Sequence, residues 1–584
     1  AAPHSRPGVL GARHTPSDCG VWRCMISKPP DNDVPEVVRL RLLQEQPVQG
    51  CEITPNVYLS TGAHNSTEQA QFTWKRCVFH LCCASCNKSP VRMQCIASGR
   101  YYCSPKCFTA GWPTRFSPRE DRNAGLLQQA TENGSDTNYG SGAQGEEHLA
   151  HKWMDVANAL TYVPSADDVG RALRLVCTPL SADRQRTGVP KSIDTAVVIA
   201  QPPPPPPRRR LIVRNDEVVG FDKSSSMRSG SDGSLAITVV TYNVLADLYA
   251  LGETYPYCPP WALAWNFRRR NLIRDLGQLA ADVFCLQEVQ ADHFEQWFEP
   301  QLDHLGYSGF YKRKTREFMG QYGKMDGCAI FYRRDKLVPV DGQVHAVEFN
   351  TIAVNKYAHQ GTDKKRVLNR LLKDNVAQVV IFAVVGAGLS GAPSHVCVAN
   401  THINANTEFS DVKLWQTQYL LLEIERIIGE FHGGMHQSMP IVIAGDFNST
   451  PGSSPYQLLQ AGYLERDQVS EEDPMGIIAA LPLDHHMLLR SAFTTLGSHR
   501  NATHNHLDAN MQPTAQMELP FSNFTGHFVG TLDYVWYTPD HLELAALLEL
   551  ADEADVTKNT ALPSPQFPSD HVPLAVELKL RMRQ

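Results

Sequence analysis

From Leu235 onward the chain alternates short apolar runs with amphipathic stretches, and no other feature narrows its possible fold as far. The runs "LAITVVTYNVL", "DVFCLQEV", "GCAIFYRR", "VCVANTH", "PIVIAGDFN", "GTLDYVWY" and "DHVPLAVEL" have the length and β-branched content of buried strands. Between them, "WALAWNFRRRNLIRDLGQLAA" and "DVKLWQTQYLLLEIERIIGEF" repeat apolar residues every three or four positions, the period of a helix. Such alternation predicts one layered α/β domain over 235–582. Most of the runs carry unusual polar residues at the same end: Asn243, Glu288, His402, and Asp446 with Asn448. Asp570 and His571 precede theirs. Antiparallel neighbours are expected to bring these ends to one rim.

The sequence ahead of this region divides at changes of composition. Residues 1–34 are expected to be disordered; their opening lacks an apolar core of signal-peptide length and has no acidic residue before Asp18, as in transit segments. Residues 35–200 read as a small β-rich domain, with strands in "CEITPNVYL" and "LTYVPSADDVGRALRLVCTPLSA". A cysteine-rich stretch over 77–112 and a polar, Gly-rich insertion over 117–149 interrupt it. Residues 201–234 read as a linker: "QPPPPPPRRR" is a stiff polyproline spacer, and "DKSSSMRSGSDGS" has no apolar periodicity.

The formal net charge of -7 argues against bulk electrostatic coating of nucleic acid, but not against an enzyme that grips a few phosphates through a metal ion. No window approaches the roughly 18 consecutive apolar residues of a membrane span. The expected setting is the cytoplasm, with the nucleus as a second compartment, and no membrane partner. Of fifteen cysteines, seven (Cys77, Cys82, Cys83, Cys86, Cys95, Cys103 and Cys107) crowd into one short stretch, which inside a cell favours metal over disulfides.

Singly, the motifs of the last domain are weak; TYN, LQEV, NTH, GDFNSTPGS, TLDYV and PSDH in this order are not. Phosphodiester hydrolysis needs a metal to neutralise developing charge, a positioned water and donors for phosphoryl oxygens. Hard oxygen ligands select magnesium, and Glu288, after the apolar "VFCL", suits that role. Asp446 can orient or deprotonate water while Asn448 donates to phosphate. Neighbours on a strand point to opposite faces, so Asp570 and His571 do not form one acid/base pair. Asp533, on a separate strand, is the better carboxylate to orient His571, and Asp570 falls near the metal.

These residues resemble the endonuclease/exonuclease/phosphatase superfamily, which includes DNase I, and within it the carbon catabolite repressor protein deadenylases, above all the plant form. The resemblance rests on "VVTYNVLADLYA", "YCPPWALAWNFRRRNLIRDL", "CLQEVQADHFEQWFEPQLDHLGYSGFYKRKT", "DGCAIFYRRDK", "LLKDNVA", "VANTHINAN", "DVKLWQ", "GDFNSTPGSSPYQLL" and "GTLDYVWYT", and covers essentially all of 235–580. It implies a DNase I-like four-layer α/β sandwich. It implies Mg2+ (one ion or two) held by Glu288, with Asn243 and Asp570 beside it, and Asn243 and His402 at the phosphate or the metal shell. Asp446, Asn448 and His571 would then carry hydrolysis, and Phe528 would stack on adenine unless it is a buried strand aromatic. The implied activity is 3′ to 5′ removal of poly(A) from mRNA with release of 5′-AMP, as the catalytic subunit of a Ccr-Not-type complex. "YKRKTR", residues 311–316, offers charge to an RNA backbone or is a solvated loop.

The cysteine stretch resembles a MYND-type finger, with Ser98 where a further ligand would stand. One Zn2+ on Cys83, Cys86, Cys103 and Cys107 is the expectation, with free structural thiols as the alternative. MYND fingers capture proline-containing peptides, so this module could dock a partner deadenylase in place of the leucine-rich repeats of yeast and animal members, absent here. The segment "YVPSADDVGRAL" resembles Ig-like β modules. Two other functions fit parts of the sequence: the same fold acting on DNA or on a dinucleotide phosphate as in the nocturnin branch, and a catalytically silent scaffold. Carboxylates converging on a cleft speak against the scaffold.

Overall fold

The computed structural model describes residues 34–44, 46–78, 93–94, 101–102, 106–107, 153–222, 227, 235–315, 325–357, 364–387, 394–434, 439–469, 472–494 and 518–581. The insertion over 117–149 and nearly all of 1–34 lie outside them. So do Cys83, Cys86, Cys103 and Ser98; of the four expected zinc ligands only Cys107, in a helical turn with Lys106, is described.

Two sheets are built from β1 (Arg210–Arg214), β2 (Glu217–Asp222), β3 (Ala236–Asn243), β4 (Val283–Gln290), β5 (Tyr307–Arg313), β6 (Asp326–Arg333), β7 (Leu337–Glu348), β8 (Val376–Val384), β9 (His395–His402), β10 (Ile441–Asp446), β11 (Arg490–Ser491), β12 (Asp533–Tyr537), β13 (Leu542–Leu548) and β14 (Leu574–Leu580). One runs in the order β2-β1-β13-β14-β3-β4-β6-β5, the other β7-β8-β9-β10-β12-β11. Their facing sides share one core: Ile237, Val239, Val283 and Ile330 from the first meet Val380, Val398, Val442 and Val535 from the second. The opposite faces are buried too. Helix α1 (Trp265–Leu279) sets Leu272 and Leu276 against Val240 and Phe284, and α2 (Ser410–Phe431) sets Trp415 and Leu420 against Val379 and Ile443. Burial on both sides explains why β3 is buried at every position rather than alternating. The result is the expected four-layer DNase I-like α/β sandwich.

As expected, antiparallel pairing of β14 with β3 carries Asp570 and His571, which precede β14, to the rim where Asn243 ends β3; the strands that share polar C-terminal ends pair differently. The pairs that carry the polar ends, β3 with β4 and β9 with β10, are parallel, joined through α1 and α2. Antiparallel pairing would send two C-terminal ends to opposite rims, whereas a helical crossover starts the second strand beside the first. The antiparallel strands β12 and β14 reach the same rim with their N-terminal ends.

The expected linker over 201–234 is corrected by β1 and β2, which extend the first sheet along β13. Their turn is Asn215-Asp216, with φ of +49° and +61°, the conformation that a two-residue hairpin turn demands and that these side chains tolerate. Nor is the proline run a free spacer. Gln566 Nε2 donates to Pro203 O at 3.3 Å, and Arg208 Nη1 to Pro573 O at 3.0 Å.

Further upstream, strands Trp153–Ala157, Ala70–Cys77, Ala172–Pro179 and Lys191–Val197 form an antiparallel sheet in that order, and Val37–Leu42 pairs with Pro55–Leu59. Trp74, Leu173 and Leu175 lie in its core. No helix among the described residues is long and apolar enough to cross a membrane.

Candidate active site

At the rim where the parallel pairs end, Asn243 joins the two sheets. Its Nδ2 donates to Glu288 Oε1 at 3.0 Å and to Asp446 Oδ2 at 3.1 Å. Its Oδ1 is occupied by the Leu245 amide at 3.0 Å, so Asn243 turns a donor to the site rather than the oxygen expected of a metal ligand. Glu288 has a left-handed φ of +57° in the irregular stretch of β4 between Leu286 and Val289. A non-glycine residue stays in this region only where the structure around it enforces the conformation. Its Oε2 accepts from the Ala246 amide at 2.9 Å. Gly445 precedes Asp446 at a φ of +151°; a Cβ there would lie 2.2 Å from Thr401 O, so only glycine lets Asp446 stand beside His402 at the end of the pair.

Across Asp446 lies the pairing expected for His571. Its Nδ1 is 2.7 Å from Asp533 Oδ2, and its Nε2 is 3.7 Å from Asp446 Oδ2. Ser522 Oγ donates to the same Asp533 oxygen at 2.7 Å. Burial alone would lower the His571 pKa, but Asp533, Asp570 and Asp446 outweigh it and hold the ring protonated well above its ordinary range. His402 is the opposite case. Its Nε2 is also 3.7 Å from Asp446 Oδ2, yet burial, with Lys314 nearby, pushes it down to about 3, so it is neutral. Asp570, adjacent to His571, points elsewhere: its Oδ2 accepts from Tyr255 OH at 2.8 Å and Asn523 Nδ2 at 3.2 Å.

This set of groups stands in a chain whose residues 240–571 match the sequence profile of the Endonuclease/Exonuclease/phosphatase family. It is 36% identical to Carbon catabolite repressor protein 4 homolog 1 of Arabidopsis thaliana, over 94% of this chain and 98% of that one. The chain belongs to this family, among its carbon catabolite repressor protein 4 homologues. It is also 32% identical to the CCR4-Not complex 3'-5'-exoribonuclease subunit Ccr4 of Saccharomyces cerevisiae, over 58% of this chain and 38% of that protein. Among solved structures, ANGEL2, a 2',3'-cyclic phosphatase, aligns over 60% of this chain and 97% of that chain at 27% identity, with a TM-score of 0.45.

The donor set of this family member fits a hard divalent cation. Burial, then Asp326 and Asp570, push the Glu288 carboxyl up to about 7, and burial with Asp533 raises that of Asp446. Crowded carboxylates of this kind are relieved by a bound cation. Asp533 Oδ1 is buried without a hydrogen bond.

Asn448 is held locally, its amide on Asp446 Oδ1 at 2.9 Å and its Nδ2 on Ile403 O at 3.0 Å. Phe528 is not the buried strand aromatic of one reading. It is 38% exposed on a hairpin, Asn523–Phe524 with Val529–Gly530, that is tied to the site by the Phe524 amide on Asp570 O at 3.0 Å. Of the basic run, residues 311–315 are described and form no solvated loop, since Lys312 pairs with Glu348 and buried Lys314 meets Asp326 Oδ2 at 2.7 Å. Reading the sequence missed Tyr255, Ser522 and Asn523. Tyr255 borders a motif that carries the family resemblance; Ser522 and Asn523 stand in "LPFSNF", which has no signature.

Proposed function

We propose that the protein is a magnesium-dependent 3′ to 5′ exoribonuclease that shortens mRNA poly(A) tails and releases 5′-AMP, as the catalytic subunit of a Ccr-Not-type complex. The observation that carries this reading is the continuous contact Glu288–Asn243–Asp446–His571–Asp533 at one rim. Glu288 and Asp570 would hold magnesium, which supplies charge neutralisation at the phosphoryl group. Asp446 orients and deprotonates the attacking water. His571, kept protonated by Asp533, aims Nε2–H into the site and stabilises the phosphoryl oxygens. Asn448 and His402 position phosphate, and exposed Phe528 stacks on the terminal adenine. The similarity to exoribonuclease subunits of the CCR4-Not complex supports the substrate class and the complex.

The cysteine stretch, with Cys83, Cys86, Cys103 and Cys107 on one zinc ion, serves as the docking module for the partner deadenylase. The enzyme works in the cytoplasm and also in the nucleus.

The test is hydrolysis of a 5′-labelled RNA with an oligo(A) tail, beside oligo(U), single-stranded DNA and NADPH, with and without magnesium. Stepwise shortening of oligo(A) alone is expected. Glu288→Ala should abolish it with an unchanged thermal midpoint; retained activity removes Glu288 from the reaction, and preferred cleavage of NADPH removes the deadenylase reading.

A further inference from the structure

We infer that Tyr255 is a positioning residue for Asp570, and that the N-terminal β unit holds Tyr255 in place through residues 48–52 and Ile199. The inference rests on the hydrolytic reading only for what Asp570 does there.

Tyr255 OH donates to Asp570 Oδ2 at 2.8 Å, and the ring is buried. A desolvated carboxylate that loses one of its donors is held less firmly and is less well matched to a cation. Yet Tyr255 stands on neither a strand nor a helix. Its loop, between β3 and α1, is closed by turns such as the Cys258 amide on Tyr255 O at 3.0 Å. Part of what fixes the loop lies outside the catalytic sandwich. Val48, Cys51 and Ile199 form one buried cluster with Leu245, Tyr255, Cys258, Ala262, Leu263 and Phe267.

Polar contacts pin the same junction. Arg270 Nη1 donates to Cys51 Sγ at 3.3 Å, and Asn266 Nδ2 to Glu52 O at 3.4 Å. Gly50 has a φ of +74°, and the Arg270 guanidinium lies 2.7 Å from where a Cβ would sit. The turn at residues 48–52 is therefore moulded to α1. The N-terminal unit contributes none of the site carboxylates or imidazoles, but it forms the far wall of the loop that aims one carboxylate.

Full-length Tyr255→Phe, Val48→Ala and the double variant test this. Mn2+ affinity is read by electron paramagnetic resonance on metal-free protein, with kcat and KM on oligo(A) and the thermal midpoint alongside. Tyr255→Phe keeps the ring packing, and we expect Mn2+ affinity and kcat to fall about tenfold, with KM and midpoint little changed. Val48→Ala should weaken Mn2+ binding about threefold alone and not further in the Tyr255→Phe background, because both act through the one buried cluster that holds Tyr255. If Val48→Ala unfolds the N-terminal unit, Arg270→Met takes its place from the α1 side. Unchanged Mn2+ affinity in Tyr255→Phe overturns the positioning role, and additive effects in the double variant overturn the role of the N-terminal unit. Were oligo(A) not a substrate at all, the proposed function would fail while the Mn2+ arm still decided this inference.

Discussion

Residues of one type have been set to opposite charge states by their surroundings: His571 is held protonated by three carboxylates, and His402, in the same cleft, is neutral through burial. Reading the sequence picked both histidines and the carboxylate partner of one, because strand ends filter polar residues from apolar runs. It did not find that Asn243 presents its amide, nor that Tyr255 and Ser522 complete the set, since hydrogen-bond direction and contacts across 315 residues leave no local pattern. A second buried acid lies outside the site. Glu518, 5% exposed, accepts from Tyr456 OH at 3.0 Å, and burial pushes its carboxyl up to about 7 from an ordinary 4.5. Between those two values the folded state holds a proton that the unfolded state has lost, so stability falls as pH rises through this window and stays lower above it. Glu518→Gln removes that slope and keeps the acceptor. Its stability relative to the parent should rise by up to about 3 kcal/mol between pH 4.5 and 7, measured by urea unfolding.

At the scale of elements, period and turn chemistry carried most of the outline. Strands and both long helices of the last domain follow from apolar spacing, because burial on one side or two leaves that spacing visible. The hairpin β1–β2 was equally legible and was overlooked, as the proline run drew "RLIVRNDEVVGFD" into a linker. Its turn can be tested directly. Asp216→Val puts a β-branched side chain at a φ of +61° and breaks the 2.6 Å contact with Arg490, so unfolding free energy should drop by about 1 to 2 kcal/mol; an unchanged urea midpoint would show the turn is not sustained. Strand direction was not legible: parallel and antiparallel neighbours in a buried sheet have the same composition, and only the crossover geometry of α1 and α2 separates them.

For the whole molecule, the hairpin over residues 210–222, although it lies ahead of Leu235, belongs to the folded core of the catalytic sandwich. Leu211 and Val213 lie in the core between the two sheets, each worth about 1.5 to 3 kcal/mol if fully buried, less the entropy of ordering the hairpin. A chain begun at Leu235 should therefore unfold at lower urea than one begun at Gln201, by on the order of 2 kcal/mol; equal midpoints would make the hairpin an ornament. The sequence by itself determined the α/β layering, the family and most of the polar groups that meet at one rim, because burial and chemistry select residue types locally. Only the tertiary structure decided which rim those groups share, which way Asn243 faces, and that a turn near residue 50 walls the loop behind Asp570. Those depend on packing between segments hundreds of positions apart, where the same residue types satisfy many arrangements until the chain closes on one.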